Sequence, residues 1–117
     1  MGQAVALVDD LFFIAKMQET ARQVNAELRT VSTGPALLQA AAEDSVKVII
    51  VDLNARSGSL QALEDLKTAG NHKPTIAFLS HVQTALAERA RALGCEQVMP
   101  RSKFTQDLPK ILLMAKS

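Results

Sequence analysis

The chain alternates short runs rich in aliphatic or β-branched residues with longer segments in which apolar residues recur at helical spacing. Short runs of this kind, bounded by polar or turn-forming residues, are typical of strands, whereas apolar residues three and four apart predict amphipathic helices. Five strand–helix pairs follow from the pattern: Ala4–Val8 with Phe12–Glu27, Arg29–Val31 with Pro35–Ala42, Val46–Val51 with Leu60–Ala69, Thr75–Leu79 with Val82–Leu93, and Gln97–Met99 with Phe104–Ala115.

Two of the predicted helices carry further detail. In the first, Phe12 and Phe13 are expected to anchor the start, and five apolar residues would form one buried stripe: Ile14, Met17, Ala21, Val24 and Leu28. The last contains Pro109, which fits an α-helix without cost only in its first turn. We therefore expect the last helix to begin near Thr105 or Asp107.

The alternation also predicts a fold. Strands joined by helical crossovers run parallel, because each crossover returns the chain to the same end of the sheet. Five strands in 117 residues fit an open sheet better than a barrel. We expect an α/β, flavodoxin-like doubly wound sheet of strand order 2-1-3-4-5, flanked by five helices, as a single domain over residues 1–117. This order places the first and third strands side by side at the ligand-binding edge.

Those two strands both lead into carboxylates. Asp9 and Asp10 follow the first strand, and Asp52 closes the third. Taken singly, the pair could cap the first helix and Asp52 could be a turn residue. Their coincidence on neighbouring strands favours a site, where close carboxylates would repel one another unless a cation such as Mg²⁺ joined them. Asp52 could then act as a nucleophile toward phosphorus.

A hydroxyl and cations follow the next two strands. Ser80 comes directly after the fourth strand, and Arg101 and Lys103 follow the fifth. Ser80 could equally cap the following helix, and either cation could be a solvated loop residue. Their position on successive strand ends places them at the same edge as the carboxylates, which favours a role in binding phosphate.

Composition narrows the classes of partner. Thirteen Lys and Arg against twelve Asp and Glu leave a formal charge of +1, which recommends neither nucleic acid nor an anionic membrane as a partner. The single cysteine, Cys95, excludes an internal disulfide and is expected to pack as a small apolar residue. No apolar stretch approaches the ~20 residues that span a bilayer. We therefore expect a cytoplasmic protein.

Taken together, the residues resemble the receiver domain of response regulators, the phosphoacceptor module of two-component signalling, from Ala4 to about Ala115. The resemblance implies a site with these members: Mg²⁺-binding carboxylates at Asp9 and Asp10, the phosphoacceptor at Asp52, a metal-binding main-chain carbonyl at Asn54 and a switch hydroxyl at Ser80. It implies no enzymatic activity beyond self-catalysed phosphotransfer and autodephosphorylation.

The chain departs from the receiver pattern at several positions. Receivers close the fifth strand with Lys-Pro, and that Lys pairs with the phosphoryl group; here Arg101 falls on its position, with Lys103 as the alternative. Val98 stands about where receivers carry a switch Tyr or Phe, and His81 replaces a small residue after the hydroxyl. The loop after Asp52 also lacks the family's Met-Pro pair. These changes predict altered phosphorylation or output.

The resemblance leads us to expect a single-domain response regulator without an output domain. It would accept a phosphoryl group from a histidine kinase or phosphotransfer protein and signal through protein contacts. The fourth helix, fifth strand and fifth helix would provide that surface, or a homodimer interface. Two alternatives remain open, namely a pseudo-receiver that binds partners without being phosphorylated and a small phosphatase or hydrolase that uses Asp52.

Overall fold

A computed structural model of the chain describes residues 2–56, 58–80 and 83–116. Within these residues, strands and helices alternate along the chain as the hydrophobic pattern predicts. The elements are β1 (Gln3–Leu7), α1 (Leu11–Gln23), β2 (Glu27–Val31), α2 (Gly34–Ala41), β3 (Val46–Asp52), α3 (Ser59–Thr68), β4 (Thr75–Leu79), α4 (Thr84–Ala92), β5 (Gln97–Pro100) and α5 (Arg101–Ala115).

All five strands pair in parallel in one sheet of order β2-β1-β3-β4-β5. The predicted flavodoxin-like order is therefore confirmed, and β1 and β3 are neighbours with Leu7 opposite Val51. None of the helices in the described part of the chain has both the length and the apolar character that crossing a membrane requires.

The sheet has a hydrophobic core on each face. Alternate strand residues such as Ile50 and Phe78 pack with α1 and α5, while Ile49 and Ala77 pack with α2, α3 and α4. The central strands β3 and β4 are buried on both faces, which explains their nearly continuous aliphatic composition. Cys95 is buried in the core on the side of α2, α3 and α4, which confirms the expectation that it packs as a small apolar residue.

Helix α1 ends four residues earlier than its periodic pattern predicts. Val24 is its C-cap, and Asn25 takes the left-handed conformation, with φ of 54°. The N–H of Ala26 donates to the carbonyl of Ala21, and the N–H of Asn25 donates to that of Arg22, which together form a Schellman ending. Val24 and Leu28 still pack against the core, but Leu28 does so from β2. The apolar spacing therefore continued across a helix end.

Helix α5 begins earlier than expected, and the prediction that Pro109 lies in its first turn is wrong. The helix starts at Arg101, directly after Pro100, and Pro109 lies in its interior. Proline there removes the hydrogen bond to the carbonyl of Thr105, at a cost of about 3 kcal/mol. The buried stripe that begins at Phe104 and includes Leu108 offsets this cost, because both side chains are buried in the core.

The first and last residues of the other helices and strands agree with the predictions to within one or two residues. Helix α4 spans Thr84–Ala92, inside the predicted Val82–Leu93. The predicted first residue of that helix, Val82, and the neighbouring His81 lie outside the described residues.

Candidate functional site

The carboxyl ends of the central strands surround one polar cavity. Asp9 and Asp10 follow β1, and Asp52 is the last residue of β3. The cavity has a volume of about 470 Å³ and is lined by Asp9, Asp10, Asp52, Asn54, Arg56 and Arg101. The structure thus brings the three predicted carboxylates and one of the two candidate cations to the same place.

Asp52 forms the buried floor of this cavity. Only 2% of the residue is exposed. Its Oδ1 accepts a hydrogen bond from the N–H of Asn54 at 2.9 Å, and its Oδ2 lies 3.5 Å from Nη2 of Arg101. Burial raises the pKa of Asp52 above its usual value, whereas the Asn54 N–H and the Arg101 charge act in the opposite direction. The Oδ2 atom is thus the one that faces the cation.

Asp10 has two structural partners, one for each carboxylate oxygen. Its Oδ1 caps α1 by accepting from the N–H groups of Phe12 and Phe13 at 3.1 and 3.2 Å. Its Oδ2 accepts from Nη1 of Arg101 at 3.2 Å. The Phe13 N–H and then Arg101 lower the pKa of Asp10, so this carboxylate stays ionised at neutral pH.

Asp9 forms a hydrogen bond with the loop after β3. Its Oδ2 accepts from the N–H of Arg56 at 2.9 Å. This bond joins two segments that are 47 residues apart in sequence, so the carboxylate orders the rim of the cavity.

Arg101 is the candidate cation that lies in the cavity. The first residue of α5, it contacts Asp10 through one nitrogen and Asp52 through another. Lys103 instead forms an ion pair with Asp107 at 2.9 Å, one turn further along the helix, and more than half of its side chain is exposed. The structure therefore places Arg101, and not Lys103, beside Asp52.

The Arg101 side chain packs on an aromatic cluster formed by Phe13, Phe78 and Phe104. The guanidinium carbon lies 4.4 Å from the centre of the Phe13 ring and 5.7 Å from that of Phe78. Phe78 in turn stacks on Phe104 with ring centres 4.3 Å apart. The expectation that Phe12 anchors α1 is wrong, because Phe12 is 91% exposed; Phe13 does so alone. Sequence reasoning missed this cluster as part of the site.

Ser80 bonds to Asn54 rather than to Asp52. The Oδ1 atom of Asn54 accepts from the N–H of Ser80 at 2.6 Å and from its hydroxyl at 3.0 Å. The Nδ2 of Asn54 donates to Oε1 of Gln83 at 3.0 Å. The side chain of Asn54 therefore links the loops that follow β3 and β4. Only the main-chain carbonyl of Asn54 figured in the sequence expectation.

Val98 lies in a second, more apolar groove on the face formed by α4 and β5. The groove has a volume of about 210 Å³ and is lined by Leu79, Gln83, Thr84, Ala87, Arg91, Val98, Met99 and Pro100. Val98 is half-buried there and has no aromatic ring.

The donor atoms of the polar cavity suit Mg²⁺, but their present arrangement does not form a ready ligand set. Carboxylate and carbonyl oxygens are the ligands that this ion prefers. Among the described residues, however, no three Asp, Glu, His or Cys side chains are gathered so that they could hold a metal ion. The guanidinium of Arg101 contacts both Asp10 and Asp52. The types of donor atom in the cavity are those that Mg²⁺ uses, and two of the carboxylates are paired with arginine in this structure.

Comparison with solved structures identifies the fold. A response regulator from Hahella chejuensis superimposes with a TM-score of 0.82 at 17% identity, over 97% of this chain and 93% of the other. A receiver domain protein from Clostridium thermocellum gives 0.81 at 20% identity, over 98% and 94%. A phosphorylated cyanobacterial phytochrome response regulator gives 0.78 at 19% identity, over 100% and 96%.

A scan against protein-family models gives no match, and a search of the curated proteins gives none either. The likeness to the solved structures is one of backbone, at sequence identities of 20% or less in these three comparisons. The chain therefore has the fold of a response-regulator receiver domain, as the strand-end residues predict.

Proposed function

We propose that the chain is a phosphoacceptor receiver in which Asp52 takes a phosphoryl group from a histidine kinase or a phosphotransfer protein. One observation carries the proposal: the buried carboxylate of Asp52 ends a central strand, and its Oδ2 faces Arg101 across a cavity that Asp9 and Asp10 also line. A nucleophile, a cation for phosphate and an acidic pair thus share the carboxyl edge of a receiver fold.

The transfer would use the Oδ2 atom of Asp52. Oδ1 is engaged by the N–H of Asn54, which fixes the carboxylate plane and leaves Oδ2 toward the cavity. A bond would form between Oδ2 and phosphorus while the bond from phosphorus to the donor's nitrogen or oxygen breaks, with its electrons leaving on the donor. The product is an aspartyl phosphate.

Three chain groups would act on the transferred group. Arg101 would donate its N–H groups to phosphoryl oxygens, because its guanidinium already lies beside Oδ2. The Ser80 hydroxyl would leave Asn54 and donate to another phosphoryl oxygen. Mg²⁺, held by Asp9, Asp10, Asp52 and the main-chain carbonyl of Asn54, would neutralise charge on the carboxylate and phosphoryl oxygens.

Output would pass through protein contacts in the cytoplasm rather than through an enzymatic product. The face of α4, β5 and α5 is the proposed surface, including a possible homodimer contact. Val98 supports a modified coupling on this face, because it has no ring that could follow a movement of the Ser80 hydroxyl.

A second candidate function is a pseudo-receiver that binds partners without phosphorylation. Two observations favour it: Arg101 already bridges Asp10 and Asp52, and the Ser80 hydroxyl is already bonded to Asn54. Both contacts satisfy the site in the absence of a phosphoryl group. The two candidates make opposite predictions about modification of Asp52.

The deciding experiment is incubation of the purified protein with acetyl phosphate, with and without Mg²⁺, followed by intact-mass analysis. We expect the mass of one phosphoryl group to be added when Mg²⁺ is present and to be removed by hydroxylamine, which cleaves acyl phosphates. Asp52→Asn should abolish the addition. Asp65→Asn, which alters a carboxylate on α3 that accepts a hydrogen bond from Gln61, should keep it. A wild-type protein that stays unmodified would refute the phosphoacceptor proposal in favour of the pseudo-receiver.

A further inference from the structure

The guanidinium of Arg101 makes two separate contacts with the carboxylates of the polar cavity. Its Nη1 lies 3.2 Å from Oδ2 of Asp10, and its Nη2 lies 3.5 Å from Oδ2 of Asp52. The planar fork of arginine places its two terminal nitrogens beside different carboxylates, so that Arg101 donates to Asp10 and forms an ion pair with Asp52. Arg101 thus supplies positive charge between two of the groups that would bind a metal ion.

One oxygen of each of these two carboxylates already has a main-chain partner. Oδ1 of Asp10 is occupied by the N–H groups at the start of α1, and Oδ1 of Asp52 is occupied by the N–H of Asn54. The Oδ2 atoms remain, and Arg101 contacts both of them. Metal and guanidinium would therefore compete directly for Oδ2 of Asp10 and for the space beside Asp52, and not only through long-range repulsion.

The position of Arg101 also carries a cost, which makes exchange feasible. Its Nε is buried and has no hydrogen-bond partner in the described part of the chain. A buried N–H without a partner is unfavourable, and movement of the side chain into solvent would restore its hydration. The guanidinium carbon lies 4.4 Å from the centre of the Phe13 ring, and this cation–π contact stabilises the side chain in the cavity when no metal ion is bound.

We propose that Arg101 is a tethered cation that occupies the carboxylate cavity in competition with a divalent cation, so that metal binding displaces its side chain. The inference rests on the metal site of the proposed function and adds a regulatory property to it. Without a divalent ion, the cavity keeps its negative charge balanced by its own arginine. The affinity for the ion is correspondingly lower than the same carboxylates would otherwise provide.

The test is a titration of the metal-free protein with Mn²⁺ as a probe for Mg²⁺, without any phosphodonor. Bound Mn²⁺ is measured by the loss of the free-ion EPR signal, because the chain has no Trp whose fluorescence the ion could quench. Arg101→Met removes the charge and keeps an unbranched apolar stem over Phe13. We expect it to tighten Mn²⁺ binding about 10-fold, the lower end of what one charge-assisted hydrogen bond is worth.

Arg56→Met is the matched control. Arg56 lines the same cavity, and its link to Asp9 runs through the main-chain N–H, which methionine retains. In the described part of the chain, no ion pair joins the Arg56 side chain to Asp10 or Asp52. Direct competition predicts a large gain in affinity only for Arg101→Met, whereas general repulsion predicts similar gains for both variants.

A further variant, Arg101→Lys, covers the case in which Arg101→Met does not fold. Lysine keeps the charge but not the fork, so we expect an affinity between those of the wild type and Arg101→Met. Equal gains at positions 56 and 101, no gain at 101, or no Mn²⁺ binding in any variant would overturn the proposal. The phosphoacceptor function fails separately, if Asp52 stays unmodified by acetyl phosphate at saturating Mg²⁺.

Discussion

Replacement of Arg101 by alanine should weaken the binding of a phosphoryl mimic such as beryllofluoride, measured at saturating Mg²⁺ so that the metal step does not contribute. The guanidinium lies 3.5 Å from Oδ2 of Asp52, the atom to which the mimic would be attached. Once the metal has displaced this side chain from the carboxylates, we expect its N–H groups to donate to the electronegative atoms of the mimic, which would be attached at the same place.

The size of the effect follows from the type of contact that is lost. A hydrogen bond to a charged group contributes about 1.5–3 kcal/mol, which corresponds to a roughly 10- to 150-fold change in affinity. The Arg101 side chain is 30% exposed, and water screens part of its charge. We therefore expect a loss in the lower half of this range, determined by calorimetric titration.

Lys103→Ala provides the comparison, because it removes the same charge two residues further along α5. Lys103 pairs with Asp107 and is mostly solvent-exposed, so its loss should change the affinity little. A larger loss for Lys103→Ala than for Arg101→Ala would show that the start of α5 rearranges and that Lys103 reaches the phosphoryl group. That ranking would refute the assignment of Arg101.

Three further predictions concern other parts of the structure. Phe104→Ala should lower the free energy of unfolding, measured in urea, by about 3–5 kcal/mol, because Phe104 is fully buried against Phe78. Leu113→Ala should lower it far less, because Leu113 lies on the half-exposed side of α5. Asn54→Ala removes the acceptor of the Ser80 hydroxyl and so frees this group for the phosphoryl mimic. The gain of ~1 kcal/mol should tighten binding of the mimic about 5-fold. An unchanged affinity would mean that Ser80 does not move. Burial raises the pKa of the Cys95 thiol from 9.0 to about 11, so the folded state holds this proton more tightly than the unfolded chain does. The free energy of unfolding should therefore fall as the pH rises from 9.0 towards 11, and Cys95→Ala should remove this slope in urea titrations at successive pH values.

The fold was predictable because buried parallel strands need little more than aliphatic continuity. Strand β3 is buried on both faces along most of its length, and its sequence shows this directly. Helix ends were less predictable, because they depend on a few local bonds. The left-handed Asn25 ended α1 although the apolar spacing continued, and α5 runs through Pro109 with buried residues on both sides of it.

Some members of the site could be predicted from the sequence, and others depended on local packing. Asp9, Asp10 and Asp52 could be placed from the sequence because strand ends in a parallel sheet share one edge. The choice of cation could not be settled in that way, since Arg101 and Lys103 are only two residues apart. It depends on the rotation of α5, which directs Arg101 over Phe13 and leaves Lys103 mostly exposed, paired with Asp107 of the same helix.

Asp10 shows why a helix cap and a functional ligand are not competing interpretations in this fold. Each helix that follows a parallel strand begins at the edge where the strand ends, so a residue that caps α1 also borders the cavity. Asp10 uses one oxygen for the N–H groups of the helix and the other for Arg101. Asparagine would cap the helix about as well, but it would bring no charge to the guanidinium. The cap alone therefore does not require a carboxylate at this position, whereas the pairing with Arg101 makes use of its charge.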